Sequence, residues 1–81
     1  MKYIVFAAPD GYEYPIIFPP LWGHDDMARK IGMPHLKVVA AGFIRTDANG
    51  KLECTGRSSS LNIPSRPDRD AAVISKWLAD K

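Results

Sequence analysis

The sequence predicts one α+β domain over residues 1–81, with a four-stranded, mostly antiparallel sheet and two helices in the order ββαββα. Two observations predict it: short apolar runs of strand length alternate with turn signals, and two other stretches carry apolar residues at helical spacing. The chain has 81 residues, of which 46% are hydrophobic and 25% charged. This balance is typical of a folded globular domain and excludes a disordered chain.

The first two strands are predicted to form an antiparallel hairpin. Lys2 to Ala7 is a run of β-branched and aromatic residues, and Tyr14 to Phe18 is a second such run. Pro9-Asp10-Gly11 between them is typical of a turn. Pro15 has no N–H group to donate to a neighbouring strand, so we expect its strand to lie at an edge of the sheet.

The first helix is predicted over His24 to Ile31. Asp25 and Asp26 stand in its first turn, where negative charge suits the helix dipole. Gly32 follows as a stop signal. We expect one apolar stripe on this helix to face the sheet.

The second hairpin is predicted from Leu36 to Arg57. Leu36 to Thr46 is apolar on both faces from Val38 onward, which indicates a central strand. Asp47-Ala48-Asn49-Gly50 is typical of a type I turn that closes through a left-handed glycine. Lys51 to Arg57 then returns, with Cys54 on its inward face.

The second helix is predicted to run from Ser65 to Ala79, with Ser65 as its cap. We expect both helices to pack on the same face of the sheet. The second helix should bury Ile74, Trp77 and Leu78 against Val38, Ala40, Ile44 and Leu52.

A second apolar face predicts self-association. Val39, Ala41 and Phe43 alternate along the central strand, and two short helices cannot cover both faces of a four-stranded sheet. A two-fold dimer would bury this patch on both chains. The alternative is that the loop from Pro19 to Trp22 covers the same face and keeps the chain monomeric.

A polar segment before the second helix suggests an anion site. Free N–H groups at a helix start attract anions, and nearby arginines add charge-assisted hydrogen bonds. The candidate anion-binding or nucleic-acid-binding residues are Arg57, Ser58, Ser60, Asn62, Arg66 and Arg69. The alternative is a polar loop before a helix that caps itself. A net charge of +2 does not by itself indicate a nucleic-acid partner, and we expect any nucleic-acid binding to be weak.

Metal binding, catalysis and base stacking have weaker sequence signals. His24-Asp25-Asp26 with His35 could suggest a metal site, but adjacent helical residues point apart, and we expect a solvated helix start instead. Cys54 is the only cysteine and is expected to be buried and unreactive. We therefore predict no enzyme activity, no metal and no cofactor.

Aromatic and cationic side chains form a further alternative, a platform on which single-stranded bases would stack. Its members would be Tyr3, Tyr12, Tyr14, Trp22, Lys37, Arg45 and Lys51. The other interpretation of the four aromatic residues is ordinary packing in the core and at the sheet edge.

Several short motifs resemble uncharacterised proteins encoded in bacteriophages and prophages. They are Ala41-Gly42-Phe43-Ile44, Cys54 to Leu61 and Ser65 to Asp70, together with His24 to Ala28. The resemblance implies a small cytoplasmic protein of a bacterial host cell that acts as an accessory or host-interaction factor. From these observations we expect a non-enzymatic interaction module that associates with itself or with a host or phage protein and not with a membrane.

Overall fold

The computed structural model describes residues 1–80 and has an α+β fold, with four antiparallel strands in one sheet and two helices. A short two-stranded hairpin precedes the last helix. The elements in chain order are β1 Lys2–Ala7, β2 Glu13–Phe18, α1 His24–Ile31, β3 Lys37–Thr46, β4 Leu52–Thr55, β5 Arg57–Ser58, β6 Ile63–Pro64 and α2 Pro67–Ala79.

The main sheet has the strand order β2-β1-β3-β4, so β2 and β4 form its two edges. The edge position predicted from Pro15 is confirmed. The turn between β3 and β4 is also as predicted: the Gly50 N–H group donates to the Asp47 carbonyl at 2.9 Å, and Gly50 has a φ of +80°. The Asp47 N–H group in turn donates to the Lys51 carbonyl at 2.8 Å, which closes the hairpin.

The two helices lie on opposite faces of the sheet, so the prediction that they share a face is wrong. Ile74 of α2 packs with Tyr3 and Val5. Ile4 and Phe6, the alternate residues of β1, belong to a second apolar cluster on the α1 side. Because successive side chains of a strand point to opposite faces, a strand that is apolar on both faces needs a cover on each.

The second face is covered within the chain and not by the loop from Pro19 to Trp22. The apolar stripe of α1 packs on it together with Leu61 and Ile63 of the segment around β6. Ala41 beneath them is fully buried. Leu21, by contrast, is 93% exposed, so this loop does not supply the cover.

A β-bulge in β3 divides the patch that was predicted to associate. Ala40 pairs with Val5 and Val38 pairs with Phe6, which leaves Val39 as an extra residue. Val39 packs with the α2-side cluster, whereas Ala41 belongs to the α1 side. The expectation that Val39, Ala41 and Phe43 share one uncovered face is therefore wrong, although Phe43 remains 43% exposed.

Helix α2 begins two residues later than the sequence predicts. Arg66 occupies the cap position and Pro67 the first turn, and no side chain caps the helix at that position. The Ser65 hydroxyl instead donates to the Gly56 carbonyl at 2.7 Å, so the predicted Ser65 cap is wrong. A serine before a helix can bond to either side, and here Gly56, between β4 and β5, offers the acceptor.

The predicted buried stripe of α2 is confirmed only in part. Ile74 is fully buried and Trp77 half-buried, but Leu78 is 48% exposed. Val38 was predicted to contact this stripe, but it packs on the α1 side of the sheet instead. Within residues 1–80, neither helix is of the length and apolar character that crossing a membrane requires.

Candidate interaction surfaces

A buried polar network ties the start of α2 to the first hairpin. Asp70 is fully buried and accepts hydrogen bonds from the Tyr3 hydroxyl and from the Arg66 backbone N–H group, the latter at 2.7 Å. The Arg66 guanidinium donates to Asp70 at 2.9 Å and to both carboxylate oxygens of Glu13, at 2.9 and 3.1 Å. Arg69 adds a further bond to Glu13 at 2.9 Å.

Two side chains of this network have shifted pKa values, one lowered and the other raised. The hydrogen bond from Arg66 holds the pKa of Glu13 below its ordinary value, against the opposing effect of burial. Burial and the hydrogen bond to Asp70 raise the pKa of Tyr3 well above its ordinary value. Glu13 is thus a carboxylate and Tyr3 a neutral phenol at neutral pH.

The predicted anion site is divided between two places in the structure. Arg66 and Arg69 are directed at Glu13, so an anion would have to compete with an internal carboxylate for both side chains. Arg57 instead donates to the Asn62 side chain. Anion binding by this set stays a prediction, but two of its three arginines are already ion-paired.

The two serines of the predicted anion site are engaged in the loop itself. Ser58 is fully buried, and its hydroxyl accepts the Leu61 N–H group at 3.0 Å. The Ser60 hydroxyl accepts the Asp25 N–H group at 3.3 Å, which links the loop to the first turn of α1. Both hydroxyl groups therefore already take part in hydrogen bonds within the folded chain.

His24 is buried, so the expectation of a solvated helix start is wrong at this residue. Its exposed fraction is 4%, and its Nε2 atom lies 2.9 Å from the Gly42 carbonyl. Since a carbonyl oxygen can only accept, Nε2 carries the proton. The imidazole packs edge-on against Phe18 and Phe43, each at 5.6 Å between ring centres. Among the residues described, no cluster of three His, Cys, Asp or Glu side chains could hold a metal ion.

Cys54 lies on the inward face of β4, and its predicted burial is confirmed at 3% exposure. Burial is the main cause that raises the pKa of its thiol. The reactive thiolate is therefore disfavoured at neutral pH.

The aromatic side chains do not form one platform. Tyr3 is buried in the core, and Tyr12 stacks at a tilt on Tyr14 with ring centres 4.7 Å apart. Trp22 lies elsewhere, with the Lys30 ammonium 4.7 Å from the centre of its ring.

The direction of the backbone groups in β1 follows from one residue pair. Ile44 donates its N–H group to the Met1 carbonyl at 2.9 Å, and the Met1 ammonium donates to the Ile44 carbonyl at 3.3 Å. Opposed residues of antiparallel strands alternate between pairs that exchange both hydrogen bonds and pairs that exchange none. Near this pair, the backbone groups of the odd-numbered residues of β1 therefore hydrogen-bond to β3. The backbone groups of its even-numbered residues hydrogen-bond to β2.

The outer edge of β2 is blocked by a proline. Ile4 lies opposite Ile16, so the even-numbered residues of β2 bond β1. The odd-numbered residues Glu13, Pro15 and Ile17 then direct their backbone groups away from the sheet. Pro15 has no N–H group at the middle of this edge, which removes the donor that an added strand would need.

The outer edge of β4 carries no such block. Because Ile44 bonds β1, its neighbour Arg45 bonds β4, where it lies opposite Glu53. Leu52 and Cys54 alternate with Glu53, so their N–H and C=O groups point away from the sheet. Within residues 1–80, β3 is the only strand that pairs with β4.

An open groove of about 510 Å³ lies along this free edge, between β4 and α2. One wall is β4, and the helix wall is built from the small side chains of Ala71, Ala72 and Ser75. Its lining also includes acidic and basic residues, among them Asp47, Lys51 and Asp68. A free strand edge beside a groove is the arrangement to which an extended strand can be added.

A second cavity, of about 380 Å³, lies at the opposite side of the molecule beside β2. Its lining is mostly apolar and includes Tyr14, Ile16, Met33 and Trp77. Met33 is 50% exposed there. This cavity adjoins the strand whose outer edge Pro15 blocks.

Sequence reasoning missed the residues that define these surfaces. Asp70 stands four residues after Arg66 and four before Ile74, and this spacing was the available signal that it lies on the buried side of α2. Nothing near Glu13 signals its pairing with Arg66, since they are 53 residues apart. No family model, curated protein or solved structure matches the chain. The resemblance to phage and prophage proteins therefore stays a prediction.

Proposed function

We propose that this domain is a non-enzymatic protein-interaction module that associates with a second copy of itself. In keeping with the resemblance in its sequence, we place it in the cytoplasm of a bacterial host cell as an accessory protein. The observation that carries the proposal is the free outer edge of β4, where Leu52 and Cys54 direct their backbone groups into an open groove.

An unpaired strand edge is a strong attractant for another strand. Natural sheets shield such edges with prolines, charges or covering elements, because exposed donors and acceptors promote pairing between chains. Here one edge has its proline and the other has none. This difference favours an interaction at β4 over one at β2.

Three side chains with catalytic potential lie in the core, which supports a non-enzymatic role. The imidazole of His24 donates to a backbone carbonyl in the core, and burial raises the pKa of the Cys54 thiol. Asp70 is held by Arg66 and Tyr3. All three side chains are buried, with exposed fractions of 4% for His24, 3% for Cys54 and 0% for Asp70.

Nucleic-acid or anion binding is a weaker candidate. Arg66 and Arg69 would have to leave Glu13 to bind a phosphate, and Glu13 is only 12% exposed in its side chain. Breaking a partly buried ion pair is unfavourable unless a new partner replaces it in the same geometry.

Light scattering coupled to size exclusion tests the proposal. The purified chain is run over a range of micromolar concentrations, alone and with a short single-stranded oligonucleotide. We expect a mass that rises towards that of a dimer with concentration and that does not change on adding the oligonucleotide. A constant monomer mass would refute self-association, and co-elution with the oligonucleotide would favour the nucleic-acid alternative.

A further inference from the structure

We propose that the apolar cavity beside β2 binds a neutral small molecule that contains a planar aromatic ring system. The cavity has a volume of about 380 Å³, and most of its walls belong to the apolar cluster on the α1 side of the sheet. It shares no lining residue with the groove beside β4, so this inference does not rest on the proposed self-association.

The cavity lies where α1 stops covering the first hairpin. The helix begins at His24, whose ring packs against Phe18, and ends at Ile31, which lines the cavity together with Phe6. An eight-residue helix is about 12 Å long, whereas a six-residue strand is about 20 Å long. The hairpin therefore extends past the end of the helix, and Ala8 at the end of β1 is also part of the lining.

Three aromatic side chains border the cavity. Phe6 is buried at 4% exposure, and Tyr14 lies opposite it in the hairpin, on the same face of the sheet. Trp77 of α2 meets Tyr14 edge-on, with ring centres 6.2 Å apart. Aromatic rings contact one another favourably in offset and edge-on arrangements, so these walls favour a ligand that is itself a flat ring.

The outer rim is a short turn that carries a methionine. Gly32 ends α1 with a φ of +54°, and the Leu36 N–H group then donates to the Met33 carbonyl at 3.0 Å. The Met33 side chain lines the cavity and is 50% exposed. Because an unbranched thioether adapts its shape easily, Met33 can close over a ligand without a change in the backbone.

The lining favours a neutral ligand. Among the described residues that line the cavity, none is Asp, Glu, Lys or Arg. A charged ligand would lose its hydration there without gaining an opposite full charge from those side chains, which is unfavourable. The polar groups among the lining residues are the Tyr14 hydroxyl, the His35 imidazole and the Trp77 indole N–H group, and they suit hydrogen bonds that orient a neutral molecule.

The size and position of the cavity favour a small molecule over an added strand. An apolar cavity of about 150 Å³ admits a benzene ring, so a volume of about 380 Å³ admits about two or three rings. Pro15 removes a backbone donor from the neighbouring edge of β2, which disfavours an extended peptide at this side.

A fluorescence titration with N-phenylnaphthylamine tests the site. This probe is neutral, has three aromatic rings and emits more strongly in apolar surroundings. We expect saturable binding of one molecule per chain and quenching of the emission of Trp77. The Trp22→Phe variant should keep this quenching, because Trp22 does not line the cavity, and the Trp77→Phe variant should lose it. Anilinonaphthalenesulfonate, which has the same rings and a negative charge, should bind at least about tenfold more weakly.

Met33→Glu places a carboxylate at the rim and should raise the dissociation constant of the neutral probe by about tenfold or more. The control is Leu21→Glu, the same kind of change at a residue that is 93% exposed and outside the lining, and it should leave binding unchanged. Near-ultraviolet circular dichroism establishes that each variant keeps its native packing.

Four results would overturn the ligand site as proposed. They are the absence of saturable binding, equal binding of the charged probe, equal weakening by Met33→Glu and Leu21→Glu, and quenching that survives in Trp77→Phe. Light scattering adds a fifth: if Met33→Glu abolishes self-association that Leu21→Glu retains, the cavity belongs to an interface between copies. A monomeric parent chain that binds the neutral probe would support this site while refuting self-association.

Discussion

The two edges of the sheet differ in how they meet solvent. At β2, the outward-pointing residues are Glu13, Pro15 and Ile17, and the central one has no N–H group to offer. At β4, Leu52 and Cys54 present complete donor and acceptor pairs beside a groove. In the proposed assembly, a sheet with one blocked edge and one open edge would grow by a single pairing and close at two copies.

The two sides also differ in what holds them to α2. The β2 side is tied through Glu13, which accepts hydrogen bonds from Arg66 and Arg69. On the β4 side, small residues of α2 border an open space. The β2 side is thus held by charge-assisted bonds, whereas the β4 side is held by the apolar cluster that includes Cys54 and Ile74.

The largest effect should come from opening the blocked edge. Pro15→Val restores an outward N–H group at β2, so each molecule gains a second open edge. Pairing of β2 with β4, or of each edge with its copy, would then no longer stop at a dimer. We expect large species in light scattering that increase with concentration.

Pro20→Val is the matched control, because Pro20 lies in an exposed loop. It should leave the mass distribution of the parent chain unchanged. If Pro15→Val also leaves it unchanged, then the proline is not what limits growth at this edge.

Removal of the buried carboxylate at the centre of the polar network should destabilise the fold strongly. Asp70→Ala leaves Arg66 and the Tyr3 hydroxyl without their buried acceptor, and we expect a loss of about 3–5 kcal/mol in the free energy of unfolding. Urea denaturation measures it. Asp68→Ala, in the same helical turn but exposed, should cost less than about 1 kcal/mol. Equal losses in the two variants would contradict the importance assigned to the network.

Two apolar residues of α2 differ in burial, so their substitutions should differ in their effect on stability. Ile74→Ala should cost about 2–5 kcal/mol, because the side chain is fully buried against β1 and β3. Leu78→Ala should cost only about 1 kcal/mol, since its side chain is 48% exposed beside β2. Thermal or urea unfolding of both variants measures the difference, and a larger loss for Leu78→Ala would place it in the core instead.

The smallest expected effect is on the stability of the fold at acid pH. The pKa of Glu13 is lower in the folded chain than its ordinary value of 4.5, so the unfolded chain takes up the proton first as the pH falls. The stability that Glu13 contributes is therefore present above about pH 4.5 and is lost below it, down through its folded-state pKa. Glu13→Gln should lower stability at neutral pH and flatten its dependence on acid pH. If the loss of stability at acid pH is the same in this variant as in the parent chain, then other groups cause most of that loss.

Local patterns were sufficient to predict most of the secondary structure. The bounds of β1 and α1 are as predicted, because strong local propensities and a glycine stop coincide there. The turn at Asp47 to Gly50 is likewise set by its own residues. The strand predicted from Lys51 to Arg57 ends earlier, at Thr55, because Gly56 has a φ of +76° and breaks the ladder.

Tertiary features were the ones that sequence patterns could not supply. Alternation along the central strand predicted two continuous apolar faces, but one extra residue at Val39 changes the parity of everything before it. The placement of α1 on the second face depended on the path of the chain between Phe18 and His24, which no periodicity encodes. The pairing of Glu13 with Arg66 likewise depends on how α2 crosses the sheet, and no local pattern encodes that crossing.

The pairing of Glu13 and Tyr3 with α2 has a consequence for the order of folding. The partners are 53 residues apart for Glu13 and Arg66, and 67 apart for Tyr3 and Asp70. Closing such long loops costs entropy that is recovered only when the distant contact forms. During synthesis the first hairpin must therefore wait, with its carboxylate and phenol hydrated, until α2 has been made. We expect the chain to reach its native structure in one late, cooperative step and not hairpin by hairpin.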